Sequence, residues 1–176
     1  MTLRRNPRGF TLIELLIVVA IIGVVAAVAV PGLLRARMSA NEASAIGTLR
    51  ALNSAEIAYS VAAAKGAFAT QFATLFLACP GGTVGFISAD MSTDPSLKSG
   101  YTFTLAQAAV SLPGQPDCGG TATRTGYYST ARPLSSGTSG HRAFASTASG
   151  TIFFDHSGDP PTEAQMAPGG GAEPIQ

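Results

Sequence analysis

From Phe10 to Val30 the chain is an almost unbroken apolar run, in which Glu14 is the only charged residue. Continued to Leu34 as a helix rising about 1.5 Å per residue, it reaches roughly 37 Å, more than the ~30 Å hydrocarbon core of a bilayer. Such a segment constrains the rest of the chain, because it must lie in lipid or against other apolar surface. Arg4, Arg5 and Arg8 precede it, which favours a cytoplasmic amino end and an exported carboxyl end. Arg35 and Arg37 follow the run and weaken that bias.

Glu14 needs an explanation. A carboxylate inside a membrane-length helix costs roughly 2.5–3.5 kcal/mol on insertion scales, so it calls for a partner. If the chain is cut between Gly9 and Phe10, the new α-amine lies one helical turn before Glu14 on the same face. A first-turn carboxylate also suits the positive end of the helix dipole. A second reading places Glu14 at the headgroup level of an ordinary anchor. A third treats the run as a secretory signal, with Ala27-Val28-Ala29 as the cleavage site and Val30 at the mature end. Against the third stand the internal acid, the length of the run, and a helical pattern that continues past the proposed cut.

The stretch Arg8-Gly9-Phe10-Thr11-Leu12-Ile13-Glu14-Leu15-Leu16-Ile17-Val18-Val19-Ala20-Ile21-Ile22-Gly23, with Pro31 beyond it, resembles the class III signal of type IV prepilins and of the related pseudopilins of type II secretion. The resemblance covers roughly residues 8–35. It implies that residues 1–9 are a leader removed after Gly9 by a membrane peptidase, which then methylates the new terminus at Phe10. By the same resemblance Glu14 is the assembly glutamate, paired with the Phe10 amine of a neighbouring copy. The implied partners are that prepilin peptidase/methyltransferase, an inner-membrane assembly platform, membrane lipid before assembly, and further copies of the chain in a helical filament. The implied location is single-pass in the inner membrane with the amino end cytoplasmic, then an extracellular pilus or a periplasmic pseudopilus. A pseudopilin or a minor pilin shares the fold and remains an alternative. A membrane-anchored surface-binding module is an alternative from another class.

Gly23 and Pro31 bracket the weakest part of the helix. Glycine lowers propensity, and Pro31 removes the hydrogen bond to the Ala27 carbonyl. A kink or local melting is expected there, and the resemblance implies that this segment extends on assembly. From Ala36 to about Val61 the pattern turns amphipathic, with Ala45, Leu49, Leu52, Ala55 and Tyr59 on one stripe suited to packing a head. Glu42, Arg50, Asn53 and Glu56 are expected around the remaining circumference, Glu56 close to the stripe's edge. Lys65-Gly66 reads as the helix stop.

At 176 residues there is room for one modest head beyond the anchor. The formal charge is +1 with 11 basic residues; losing Arg4, Arg5 and Arg8 with the leader leaves eight basic against ten acidic residues, a net of −2. No basic cluster survives outside Arg35, Arg37 and Arg50, so no nucleic-acid partner is expected. Phe68, Phe72, Leu75, Phe76 and Leu77 suggest a short helix. Strands are expected at Val84–Ser88, Tyr101–Leu105, Ala109–Leu112, Gly126–Ala131, Arg142–Thr147 and Thr151–Phe154, the last two as a hairpin across Ala148-Ser149-Gly150.

The expected fold is therefore α+β, a long amino-terminal helix packed on a small antiparallel sheet, which matches the ladle fold of the family it resembles. Its divisions are leader 1–9, hydrophobic helix 10–34, amphipathic half 35–64, head 65–156 and a flexible tail 157–176 rich in Gly, Pro and small residues. Cys79 and Cys118, an even pair on an exported domain, read as one disulfide. They lie mid-head, whereas family heads commonly carry a disulfide near the carboxyl end. Ser139-Gly140-His141 lacks a nucleophile elbow, so no enzyme and no cofactor is expected, and His141 and His156 read as surface residues. Asp155, Asp159 and Glu163 place oxygen donors in one turn, but without EF-hand spacing, and no metal site is expected.

Overall fold

A computed structural model describes residues 9–175. Arg4, Arg5 and Arg8, in the stretch expected to be a leader, lie outside the described residues. Contacts divide the chain into two units, one ending at Ala36 and one running from Arg37 to the carboxyl end.

In the first unit, helix α1 (Leu12–Ala62) begins and runs past Gly23 and Pro31 without a break in helical assignment. Pro31 leaves the Ala27 carbonyl without its helical donor, and the helix nevertheless continues on both sides of it. Every large apolar side chain from Leu12 to Leu34 is at least 46% exposed. By length and composition α1 is the one helix, among the described residues, able to cross a membrane.

In the second unit the carboxyl half of α1 packs on a six-stranded antiparallel meander. Its strands are β1 (Ser96–Lys98), β2 (Tyr101–Gln107), β3 (Tyr127–Pro133), β4 (Ala143–Thr147), β5 (Ile152–Asp155) and β6 (Glu173–Pro174), each hydrogen-bonded to the next. The stripe expected to dock the head does so: Ala45, Leu49, Leu52, Ala55 and Tyr59 are all buried. All but Ala55 share one core with Tyr101, Phe103, Leu105, Tyr127 and Phe144 of the sheet. Alternation along β2 puts Tyr101, Phe103 and Leu105 inward and leaves Thr102 and Thr104 on the other face. Gly140 is packed so closely on the ring of Tyr101 that a Cβ there would overlap its hydroxyl, and that hydroxyl donates to the Arg142 carbonyl at 2.8 Å.

Several expected elements differ. Val84–Ser88 and Ala109–Leu112 are irregular rather than strands, and Val84, Val110 and Leu112 project into solvent. Short apolar runs flanked by Gly and Pro carry strand-like composition, but their pairing stays at isolated bonds such as the Thr125 amide on the Leu112 carbonyl and the Phe86 amide on the Leu75 carbonyl, short of a continuous ladder. β1 and β6 give no signal in the sequence because three and two residues are too short for periodicity. α2 (Phe72–Phe76) forms as expected. α1 stops at Ala62, slightly before Lys65-Gly66, which then take positive φ and let the Gly66 amide donate to the Ser60 carbonyl at 2.8 Å.

The stretch 157–176, whose composition signalled no stable element, holds α3 (Glu163–Met166) and β6. Thr162 and Gln165 close a capping box on α3. The segment is tied to the sheet face opposite α1: the Tyr128 hydroxyl donates to the Pro161 carbonyl at 2.8 Å, and Arg132 pairs with Asp159 at 2.9 Å. On that face β4 presents Ala143 and Ala145, both fully buried, followed by Thr147, and Pro161 is buried too. Small side chains there leave room for a covering segment that Gly/Pro content alone does not reveal.

Candidate assembly site

The amino-terminal site is built by the start of α1. Gly9 and Phe10 precede the helix, and the Phe10 side chain is 81% exposed. Thr11 is the residue just before Leu12, and Glu14 is the third residue of the helix. Their side chains cap each other: the Thr11 amide and hydroxyl donate to Glu14 Oε2 at 2.9 and 2.7 Å, and the Glu14 amide donates to Thr11 Oγ1 at 3.2 Å. This is a capping box, which satisfies orphan amides at a helix start. Glu14 therefore lies in the first turn rather than deep in the rod, and it already has partners within its own chain.

Thr11 is a residue that reading the apolar run for its length and its acid passes over, although Thr-x-x-Glu before such a run is a recognisable signal. The capping box holds the Glu14 carboxylate at the amino end of a helix whose remaining length offers no other polar side chain before Arg35. What the arrangement can do is electrostatic: it holds one carboxylate at the positive end of the helix dipole.

Within the second unit the polar residues of α1 are not spread around its outer face as expected. Arg50 is exposed, but Glu42, Asn53 and Glu56 are buried, and each reaches a group of the head. Glu42 accepts the amides of His141 and Arg142 at 2.8 and 3.2 Å and the Arg142 Nε at 2.8 Å. Burial raises its pKa, but those amides and the guanidinium outweigh it and hold the carboxyl below its ordinary value. Asn53 bridges Tyr127, Ser146 and Gly150. Glu56 is wholly buried and takes the Ala69 amide at 3.0 Å. A helical wheel separates faces by hydrophobicity, so it misplaces polar residues whose partners lie far along the chain.

Cys79 and Cys118 form the expected disulfide, with Cα atoms 5.5 Å apart. It joins the segment after α2 to the β2–β3 connection, where the Cys118 amide donates to the Ala63 carbonyl at 3.0 Å and the Tyr59 hydroxyl to Asp117 at 2.8 Å. Ser139 is not paired with His141: its hydroxyl bonds the Ser135 backbone and closes its own loop. Asp155, Asp159 and Glu163 are engaged separately, with the Ser157 amide, Arg132 and the Ala109 amide. Among the described residues no group of three acidic, Cys or His side chains converges as a metal site.

Residues 4–30 match the family model for the prokaryotic N-terminal methylation motif. The type IV wide pilus major component of Thermus thermophilus is 66% identical over 38 residues, which cover 22% of this chain and 29% of that protein. The type IV major pilin protein of Myxococcus xanthus is 49% identical over 55 residues, covering 30% of this chain and 25% of that protein. The chain thus aligns with less than a third of the length of these two relatives. The type IV narrow pilus major component of Thermus thermophilus is 36% identical over 106 residues, covering 58% of this chain and 89% of that protein. No solved structure matches the chain significantly.

Proposed function

The chain belongs to the type IV pilin family, and from that membership we propose that it is a structural subunit of a type IV pilus. In this reading the leader is removed after Gly9 and Phe10 is methylated. The apolar half of α1 holds the subunit in the inner membrane, and an assembly platform then passes it into a filament whose axis is lined by these helices. The observation that carries the proposal is the rod from Leu12 to Leu34, exposed on every side and headed by one carboxylate. Such a surface needs lipid first and other copies afterwards. Repeated head-to-tail contacts between identical subunits generate an open helical polymer.

Glu14 supplies the register. On assembly its carboxylate exchanges the Thr11 amide and hydroxyl for the Phe10 amine of a neighbour, so each incoming copy is seated where opposite charges meet. The segment between Gly23 and Pro31 is the part of α1 that extends as copies pack, because helix propensity is lowest there. The test is to express the chain in its host and identify the mature terminus by mass spectrometry while imaging filaments by electron microscopy. Methylated Phe10 and fibres containing the chain are expected, and Glu14→Ala should insert normally into the membrane yet yield few fibres. Retention of Met1, or full fibre yield from Glu14→Ala, would overturn the reading.

A further inference from the structure

Glu56 has no part in filament assembly as proposed, and its surroundings are unusual for an acid. It is 0% exposed, on the face of α1 that meets the sheet. Oε2 accepts the Ala69 amide at 3.0 Å, while Oε1 is buried with no hydrogen-bond partner. No cation pairs with it among the described residues. Burying an ionised carboxylate on one hydrogen bond is strongly unfavourable, whereas a carboxylic acid in the same place is tolerable.

The titratable groups on the segments packed here offer it no help. Tyr59 on α1 and Tyr127 on β3 are both held neutral, their own ionisation made harder chiefly by burial, with Asp117 adding to it at Tyr59. Asp117, in the β2–β3 connection, is a second acid and takes the Tyr59 hydroxyl. Lys65, on the turn after α1, is exposed, and Arg124 lies opposite Phe68 in a bridge, but neither makes an ion pair with Glu56.

The Ala69 amide that Glu56 holds belongs to the turn after α1, whose Ala63, Ala64, Ala67 and Ala69 side chains are buried in the core. After α1 the chain turns at Lys65 and Gly66, then exchanges backbone bonds with one neighbour only, Phe68 to Arg124 and back at 2.8 and 3.1 Å. The same region carries the Cys118 amide on the Ala63 carbonyl. A change at Glu56 therefore acts first on Ala69 and on the Phe68–Arg124 bridge next to it.

We propose that Glu56 is carried as a neutral acid in the folded head, and that its ionisation loosens the hold of α1 on the Ala69 amide, making this contact an alkali-sensitive latch. Burial pushes the Glu56 carboxyl up to about 8, against an ordinary 4.5, with the Ala69 hydrogen bond opposing it. Because the folded head holds the proton more tightly than the unfolded chain, stability from this group is full below about pH 4.5 and declines as pH rises towards about 8. Each unit of that shift corresponds to about a tenfold change in the folding equilibrium.

The experiment is carbon-13 NMR of the whole chain in detergent micelles, with Glu labelled at the carboxyl, together with hydrogen exchange at Ala69. The Glu56 carboxyl signal is expected to titrate above pH 7, and Ala69 exchange, corrected for its intrinsic pH dependence, to rise by up to about tenfold between pH 7 and 9. In Glu56→Gln that rise at Ala69 should vanish. A Glu56 signal that titrates below pH 6 in the wild-type chain overturns the proposal, whether or not the variant folds. So does an unchanged alkaline loss of Ala69 protection in Glu56→Gln. Filament formation is read in neither measurement, so the latch stands or falls independently of the pilin reading.

Discussion

Asn53 is the residue through which α1 grips the sheet by polar contacts, and replacing it by Ala tests whether that grip is structural. The side chain belongs to a residue only 6% exposed. Its Nδ2 donates to Ser146 Oγ at 2.9 Å and to the Gly150 carbonyl at 3.0 Å, and its Oδ1 accepts the Tyr127 hydroxyl at 2.9 Å and the Ser146 hydroxyl at 3.1 Å. Ser146 keeps a second acceptor in the Thr151 carbonyl, but among the described residues the Tyr127 hydroxyl bonds to Asn53 alone, and Tyr127 is 1% exposed. Loss of the bonds to Gly150 and Ser146 at about 1 kcal/mol each, with about 1–3 kcal/mol for the stranded Tyr127 hydroxyl, gives a cost of about 4 kcal/mol for Asn53→Ala. Against a typical total of about 5–15 kcal/mol, that is a large fraction. Urea unfolding of the detergent-solubilised chain, followed by near-ultraviolet circular dichroism, measures it. Tyr127→Phe adds the discriminating step. Alone it should be destabilising by about 1 kcal/mol, but combined with Asn53→Ala it should return about 1–2 kcal/mol, because it removes the stranded hydroxyl. The reasoning is refuted if Asn53→Ala costs under about 1 kcal/mol, or if Tyr127→Phe is equally destabilising with and without it.

Three further outcomes follow from the same structure. Glu42, held below its ordinary 4.5, contributes stability that is complete above that pH and lost as the pH falls through its lower folded value, so Glu42→Gln should reduce stability at pH 7 by about 2 kcal/mol and flatten the acid limb of a urea-midpoint profile. Opening the Cys79–Cys118 bridge, which spans 39 residues, by a double Ser replacement should lower the unfolding free energy by about 4 kcal/mol in the chain-entropy model, read from urea midpoints under identical buffer. Deleting the chain after His156 removes the Tyr128–Pro161 and Arg132–Asp159 contacts and uncovers Ala143 and Ala145, so it should lower stability by about 2 kcal/mol or more and increase binding of a hydrophobic dye.

Much of the architecture was legible because it rests on period and length. The apolar run to Leu34 announces a membrane-length helix, and the Ala45, Leu49, Leu52, Ala55, Tyr59 stripe announces which side of α1 meets the head. The alternation of Tyr101, Phe103 and Leu105 marks β2, and an even pair of cysteines marks the disulfide. These signals are local or depend only on composition, so they survive without knowledge of the partner.

What tertiary structure decided is which polar groups find partners across long separations. Glu42 meets His141 and Arg142, Asn53 meets Tyr127 and Ser146, and Glu56 meets only Ala69. No periodicity encodes these pairs, because each depends on how the sheet is registered against α1. The last stretch shows the same limit: its Gly and Pro content reads as unstructured, yet Pro161 is buried and β6 extends the sheet beyond β5. An apolar pattern states that a face will be buried; only the folded chain determines what covers it and whether each buried polar atom is satisfied.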